Sequence, residues 1–319
     1  MAETKDLSRR LSERRSTPCE LPIPPHFLEL TWRPLTPADI PALFELVRTI
    51  EEHDRPTSRE SLRSLWSRIQ APWQDMATNT LAGYDEDGRM RAWSAVELLP
   101  GDLLRLRLDG GVHPLLRQRG IGRALLTWQD CRARQLIVES GRDDPAWLIT
   151  SADDADIDHR RLLGAAGFSP SRWFKVMRRP LDGELPDIKP PGQLEIVGWT
   201  TTLDDEVFKV HTEAYGNPWW LIRASLDAWH VMRTDLVPAW SFVLLDGDSP
   251  VGYSMSFRYE QNWEAAGYSA GRTDVIGVLP EYRSQGAGSA LLSATMAAMS
   301  VDGIEYAEIL VDCECRWGP

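Results

Sequence analysis

Alternating apolar and polar positions predict the strands of this chain, and apolar positions spaced three or four residues apart predict its helices. The stretch FLELTWRPLT alternates as a strand does, and PADIPALFELVRTIEEHD has helical spacing with start signals at Pro37 and Asp39. The remaining elements of the first half are a helix, a hairpin around Asp87-Gly88, a strand, a long helix, a strand, a helix and a closing strand. Their segments are SRESLRSLWSRIQ, NTLAGYDEDGRMRAWSAVELL, LLRLRLDGGVHP, IGRALLTWQDCRARQLIV, AWLITSA, DIDHRRLLGAAG and RWFKVMRRPL.

The second half repeats this order of elements. It predicts a strand, two helices, a hairpin around Asp246-Gly247, a strand, a helix and a strand. These lie in LEIVGW, DDEVFKVHTEAY, LIRASLDAWHVMRT, SFVLLDGDSPVGYSMSFRYE, GRTDVIGVLP, SQGAGSALLSATMAAMS and EYAEILVD. The last helix and strand of the first half have no counterpart here, so we predict that the second copy is truncated at its C-terminal end.

A repeated glycine motif places the two halves in register. The segment VHPLLRQRGIGRALL, from Val112, aligns without a gap on VLPEYRSQGAGSALL, from Val278, at an offset of 166 residues. The same offset places LEL at Leu28 on LEI at Leu194. A register kept over this distance predicts two copies of one unit of about 150 residues. We therefore expect a disordered mixed-charge tail (1–26), a first domain (27–181), a Pro- and Gly-rich linker (182–192) and a second domain (193–319).

Composition narrows the class of protein. The 319 residues carry a net charge of −12, which argues against nucleic-acid binding because phosphate backbones select basic faces. Four cysteines are too few for a disulfide framework, and Cys313 and Cys315 lack the further ligands that a metal site needs. No apolar stretch reaches the length of a membrane span, and the N-terminus has no signal-peptide core. A cytoplasmic protein without metal is expected.

The repeated motif has the chemistry of a pyrophosphate site. Each copy reads as a strand, a proline and Arg-x-x-Gly-x-Gly at the start of a helix, where unpaired N–H groups and the helix dipole favour anions. A P-loop would need Gly-Lys-Ser/Thr, but Arg123-Ala124 and Ser289-Ala290 follow the glycines. A dinucleotide-binding fingerprint would need a third glycine, where leucine stands in both copies.

Both copies resemble the GNAT superfamily of acyl-CoA N-acyltransferases, whose pyrophosphate loop reads Arg/Gln-x-x-Gly-x-Gly/Ala after a strand ending V-x-P. The segment DHRRLLGAAGF also resembles the terminal helix and turn of that family, and the tandem arrangement is similar to double-GNAT proteins of the mycothiol synthase type. The resemblance implies an α/β (α+β) fold with two GNAT-like domains. Each would have a mixed, mostly antiparallel twisted sheet flanked by helices. It also implies acetyl-CoA as the cosubstrate.

The same resemblance implies which residues hold the cofactor. The first loop would contribute Arg117, Gln118, Arg119, Gly120, Ile121, Gly122 and Ala124, and the second loop Arg283, Ser284, Gln285, Gly286, Ala287, Gly288 and Ala290. The strand backbone at Val112 and Val278 would hold the pantetheine arm and polarise the thioester carbonyl. We expect tighter binding at the first loop because Arg117, Arg119 and Arg123 surround it, whereas the second has only Arg283. The competing interpretation is that these arginines form a solvated face.

Acyl transfer to an amine needs a neutral nitrogen, so a carboxylate base is expected. The candidates are Asp109 and Asp274 on the central strands and Glu213 in the helix DDEVFKVHTEAY, although a structural or surface role is favoured for any single one of them. The family's terminal-helix Tyr, the usual acid, is replaced by Leu163 in the first copy. The Trp219-Trp220 pair could line an acceptor pocket or pack in the core.

The leading hypothesis is an acetyl-CoA-dependent N-acetyltransferase that acts on a primary amine of a small molecule. The alternative is a non-catalytic acyl-CoA-binding or regulatory protein, and a nucleotide-binding module is a third possibility. The resemblance implies that the first half binds acyl-CoA without turnover and the second is catalytic. It also admits an aminosugar–cysteine conjugate as acceptor, in a pocket built from about Asp54 to Trp73 and Tyr215 to Thr234. A truncated second sheet would expose an unpaired edge, to be completed by a homodimer partner unless the reading frame is shortened.

Overall fold

A computed structural model describes residues 20–25, 29–215, 226–233 and 235–313. The chain divides into two compact units, Met1–Ser169 and Pro170–Pro319, here called the first and the second unit. The first unit contains β1 (Thr31–Arg33), α1 (Ile40–Asp54), α2 (Leu62–Ile69), α3 (Met76–Asn79), β2 (Thr80–Tyr84), β3 (Met90–Leu99), β4 (Leu104–Val112), α4 (Ile121–Glu139), β5 (Ala146–Ile149) and α5 (Ile157–Ala165). The second contains β6 (Phe174–Pro180), β7 (Glu195–Gly198), α6 (Asp204–Tyr215), α7 (Leu226–Met232), β8 (Phe242–Asp246), β9 (Ser249–Arg258), α8 (Glu260–Ala266), β10 (Ala270–Val278), α9 (Ala287–Val301) and β11 (Tyr306–Asp312).

The sheet of the first unit has the order β1-β2-β3-β4-β5 and is antiparallel except for the β4–β5 pair. The predicted hairpin is confirmed as β2–β3, with Gly88 at a φ of 74° in the turn. Apolar residues from both sides of the sheet form two clusters. One contains Ile121, Leu125 and Trp128 of α4, and the other contains residues of α1 and α2. Burial of these helix faces holds the sheet between two helical layers.

The sheet of the second unit has the order β6-β11-β10-β9-β8-β7, and among these strands only β10 and β11 are parallel. Its hairpin β8–β9 is also confirmed. Trp199, Trp229 and Tyr253 belong to the core cluster that α6 covers. The two mixed, mostly antiparallel sheets flanked by helices agree with the predicted fold class.

Each sheet opens at the same place. In the first unit the parallel pair runs only from Leu104 to Arg107, although β4 continues to Val112. In the second unit the pair ends at Thr273, although β10 continues to Val278. The last part of each strand therefore pairs with no described strand on this side, directly before the glycine loop.

Strand β6 corrects the sequence interpretation. RWFKVMRRPL was expected to close the first sheet, and the edge of EYAEILVD to be unpaired. Instead β6 pairs antiparallel with β11 over seven residue pairs, from Tyr306–Pro180 to Asp312–Phe174. The backbone groups along β11 thus have partners in the same unit, and this removes the structural reason for which a homodimer was expected.

The segment around the predicted linker also packs on the second unit. Ile188 N donates to Ser293 Oγ at 3.1 Å, and that hydroxyl donates to the carbonyl of Pro186. The division between the units, after Ser169, accordingly precedes β6 and this segment. Helix α8 was not predicted from the sequence.

Candidate active site

The two glycine loops have the same backbone conformation. Gln118 and Ser284 lie in the left-handed region at φ values of 62° and 59°, and Gly120 and Gly286 follow at 92° and 93°. A non-glycine residue is strained there, and glycine is not. A Cβ built on either glycine would meet no atom of the described residues within 4 Å. The space beside both glycines is therefore open to a ligand.

Each loop ends at the N-terminus of a long helix. The first helical hydrogen bond joins Ala124 N to Gly120 O at 3.0 Å in α4, and Ala290 N to Gly286 O at 2.9 Å in α9. The N–H groups of the three residues before Ala124 and before Ala290 have no helical acceptor, and they lie at the positive end of the helix dipole. This arrangement suits a phosphate group.

The first arginine of each loop, Arg117 or Arg283, binds other groups of the protein and has a structural role. The Arg117 guanidinium binds the Asp54 carboxylate through two bonds of 2.6 and 2.7 Å, and its Nε donates to Val112 O at 3.2 Å. Arg283 Nε donates in the same way to Val278 O at 2.9 Å, and its guanidinium also reaches the last turn of α6. These contacts fix the first loop to β4 and the end of α1, and the second loop to β10 and the end of α6. Both guanidinium groups therefore already have partners.

The other predicted arginines are placed differently. Arg119 and Arg123 are exposed on either side of Gly120, and neither forms an ion pair with a described residue. The corresponding positions in the second loop are Gln285, whose amide donates to Glu281 O at 2.8 Å, and Ser289. The first loop therefore presents two unpaired cations, whereas the second presents none at these two positions.

The remaining predicted loop residues differ in how far their side chains are buried. The side chains of Ile121, Ala287 and Ala290 are buried, and those of Gln118 and Ser284 are exposed. Ala124 and Gly288 lie in the first turns of α4 and α9 and are partly exposed. A Cβ added at Gly122 would lie 2.9 Å from the Leu162 side chain.

A cleft of about 110 Å³ lies where β4 and β5 separate. Its lining comes from the open part of β4, the start of α4, the end of β5 and one face of α5. The residues are Leu108, Asp109, Gly110, Gly111, Val112, Gly122, Leu125, Leu126, Gln129, Thr150, Ser151, His159 and Leu163. The cleft joins the glycine loop to Asp109, and an extended arm attached to a loop-bound pyrophosphate would enter it.

Asp109 is held in a network of charges on the α2 side of the sheet. Its carboxylate lies 3.6 Å from an Arg68 nitrogen and 3.3 Å from Arg107 Nε. Arg68 also pairs with Glu60 at 2.8 Å, and Arg107 pairs with the buried Glu97. The Arg68 guanidinium thus lies beside the Asp109 carboxylate, which was predicted as a base. A protonated amine of a substrate would take the same position.

Asp274 has different partners. It lies at a bulge of β10, where it accepts a 2.5 Å hydrogen bond from Tyr259 Oη and a 2.6 Å bond from Arg272 Nε. Burial raises the pKa of Tyr259, and the Asp274 charge raises it further, so the phenol stays protonated. Sequence reasoning missed Tyr259 and Arg272. The Arg-x-Asp spacing on a strand was a usable signal for Arg272, since residues two apart share a face.

The other candidates do not join these groups. Glu213 is exposed on α6. His211, two residues before it, is buried and shares a 2.5 Å hydrogen bond with Tyr253 Oη. Burial lowers the pKa of His211 to about 4, so it is neutral at pH 7. Trp219 and Trp220 lie outside the described residues, as does most of the predicted acceptor segment between Tyr215 and Thr234.

Comparisons with known proteins agree with this geometry. Residues 205–314 match the acetyltransferase (GNAT) family model. The chain is 26% identical over 291 residues to a mycothiol acetyltransferase of Kytococcus sedentarius, covering 88% of each chain. Its fold is similar to a GCN5-related N-acetyltransferase from Sphaerobacter thermophilus, with a TM-score of 0.68, 22% identity and coverage of 91% and 89% of the two chains. It is also similar to a tandem GNAT protein from the clavulanic acid biosynthesis pathway, with a TM-score of 0.62, 17% identity and coverage of 90% and 91%.

Two negative findings apply to the described part of the chain. None of its helices combines the length and the apolar character that crossing a bilayer requires. It also holds no group of three or more His, Cys, Asp or Glu side chains arranged to bind a metal ion.

Proposed function

We propose that this chain, a GNAT-type, mycothiol-synthase-like protein with two units of that fold, is an N-acetyltransferase. It transfers the acetyl group of acetyl-CoA to a primary amine of a small molecule. The matches support an acyl-CoA acetyltransferase at the level of the family. The observation that carries the proposal is the repeated loop. Each copy has a left-handed glycine with open space beside it and unpaired helix N–H groups after it.

In the reaction, the neutral amine nitrogen attacks the thioester carbonyl carbon and gives a tetrahedral intermediate. The C–S bond then breaks, an amide remains on the acceptor, and the thiolate takes a proton to leave as free CoA. Backbone donors on the open parts of β4 and β10 would stabilise the oxyanion. A carboxylate is needed because an amine of ordinary pKa is protonated at pH 7.

We assign the base to the second unit. Asp274 would accept the amine proton, while the Tyr259 hydroxyl and Arg272 hold its carboxylate in place. Asp109 is the weaker candidate because two arginines, Arg68 and Arg107, lie against its carboxylate, whereas Arg272 is the single arginine that pairs with Asp274 among the described residues. The first unit would then act as an acyl-CoA-binding unit, which fits its two unpaired arginines and its open cleft.

The acceptor is proposed by analogy with the relative. Since the relative is a mycothiol acetyltransferase, we propose an aminosugar–cysteine conjugate with a free amine as the acceptor of this chain.

Thiol release from acetyl-CoA, measured over a panel of small amines that includes such a conjugate, tests the function. Amine-dependent release that Asp274→Asn abolishes would support it. Tight CoA binding without release for any amine would favour the non-catalytic alternative. Absence of CoA binding would refute both.

A further inference from the structure

His159 is a polar group of the first unit that the proposed chemistry does not use. It lies on α5, one turn before Leu163, and both side chains line the cleft between β4 and β5. Gly122, at the start of α4, lines the same cleft. The His159 ring therefore shares a cavity with the helix terminus at which a pyrophosphate would bind.

The imidazole has no hydrogen-bond partner among the described residues. Its backbone N–H donates to Asp156 Oδ1 at 2.9 Å, but neither ring nitrogen takes part in a hydrogen bond with the described part of the chain. A half-buried imidazole without a partner is unfavourable unless a ligand or solvent satisfies it. Thr150 and Ser151, which follow β5, also line this cleft, so it offers further polar groups to a ligand.

We propose that the His159 side chain contacts the phosphate-bearing part of acyl-CoA in the first unit and makes binding there depend on pH. The inference rests on the proposed function, because it takes acyl-CoA as the ligand of the first loop. It adds a residue on α5 to a site otherwise formed by backbone N–H groups, Arg119 and Arg123.

The charges around the imidazole give the direction of the effect. Burial lowers the pKa of the His159 imidazole. The negative charges of Asp156 and Asp54 raise this pKa, and the positive charge of Arg117 lowers it further. The ring is therefore neutral at pH 7 in the free protein, and it can donate one N–H to a phosphate oxygen. A bound diphosphate brings negative charge into the cleft and raises the pKa of the ring. Binding is then linked to proton uptake, and affinity increases as the pH falls.

The test uses the full chain carrying Gly286→Glu, which blocks the second loop, and unmodified CoA as the probe. Calorimetric titrations at pH 6, 7 and 8, in two buffers of different ionisation enthalpy, give both the affinity and the protons taken up. We expect an affinity gain of roughly threefold to tenfold between pH 8 and pH 6, with proton uptake. His159→Gln should reduce that gain, while Arg161→Gln, an exposed change on the same helix, should not. The phosphates of CoA titrate equally in all variants, so the difference between variants reports His159.

The outcomes separate the two proposals. Equal pH dependence and equal proton uptake in the parent and in His159→Gln would overturn the role of His159 and leave the proposed function intact. No CoA binding at any pH would overturn the proposed function, and this inference with it. The thermal midpoint of each variant checks folding. If His159→Gln is unstable, the ring resonances of His159 in the parent are followed by NMR across the same pH range. A midpoint unchanged by CoA would overturn the inference.

Discussion

The two loops differ in their charged side chains, so exchanging these side chains should exchange the affinities of the two loops for the cofactor. Arg119 and Arg123 correspond to Gln285 and Ser289, and the backbone of the two loops is the same. The double variant Arg119→Gln/Arg123→Ser gives the first loop the side chains of the second. A charge-assisted contact to phosphate contributes about 1.5–3 kcal/mol when shielded from water, but exposed pairs contribute roughly 1 kcal/mol or less.

Both arginines are exposed in the free protein and would be partly covered by a bound pyrophosphate. We therefore take about 1–2 kcal/mol for each contact, or about 2–4 kcal/mol for the pair. This corresponds to a loss of roughly 30- to 1000-fold in affinity for CoA. The reverse variant, Gln285→Arg/Ser289→Arg, should strengthen the second loop by a similar factor if its phosphates take the same position.

The assay is calorimetric titration with CoA, with the loop not under study blocked by Gly286→Glu or Gly120→Glu. Since these changes place a side chain at a φ near 90°, Gly120→Asn serves as the matched control, because asparagine tolerates the left-handed region and adds no charge. A change in affinity below about threefold for the arginine pair, with an unchanged thermal midpoint, would refute the reasoning. The arginines would then be a solvated face.

Three further predictions concern the second unit. Asp274→Asn should lower kcat by roughly 10²–10⁴-fold, because a general base is lost, whereas Asp109→Asn in the first unit should leave it within a few-fold; steady-state thiol release measures both. Burial lowers the pKa of His211 from 6.5 to about 4, so the folded state binds fewer protons than the unfolded state between these values. The free energy of unfolding should therefore fall by about 3 kcal/mol as the pH is lowered from 6.5 toward 4. In His211→Gln, the free energy measured by urea unfolding should lack this pH dependence. Val176→Pro should weaken the β6–β11 pairing, seen as faster amide exchange in β11, and Val176→Thr should not; equal exchange in both would contradict the pairing.

Local features of the sequence predicted the loops well. The start of each helix, α4 and α9, was predicted because it depends on residues within a few positions of each other. Contacts between distant residues could not be predicted in this way. The bidentate pair of Arg117 joins residues 63 positions apart, and nothing in the motif indicates that this guanidinium already has a carboxylate partner. The contact of Tyr259 with Asp274 was missed for the same reason, since the hydroxyl reaches that carboxylate from the end of another strand.

The pairing of β6 was also beyond local reasoning. A strand with a suitable pattern can join any open edge, and the order of predicted elements favoured the sheet of the preceding copy. The structure shows that the repeat seen in the sequence and the compact unit formed by the chain have different boundaries.

The position of β6 has a consequence for synthesis. The ribosome makes β6 before every other strand of the second unit and makes its partner β11 after all of them, more than about 120 residues later. The two outermost elements of that unit in the chain are thus neighbours in its sheet, and loop closure between them is the longest-range step of its folding. Until β11 leaves the exit tunnel, β6 remains an unpaired strand, and the nascent chain is open to pairing with the wrong edge.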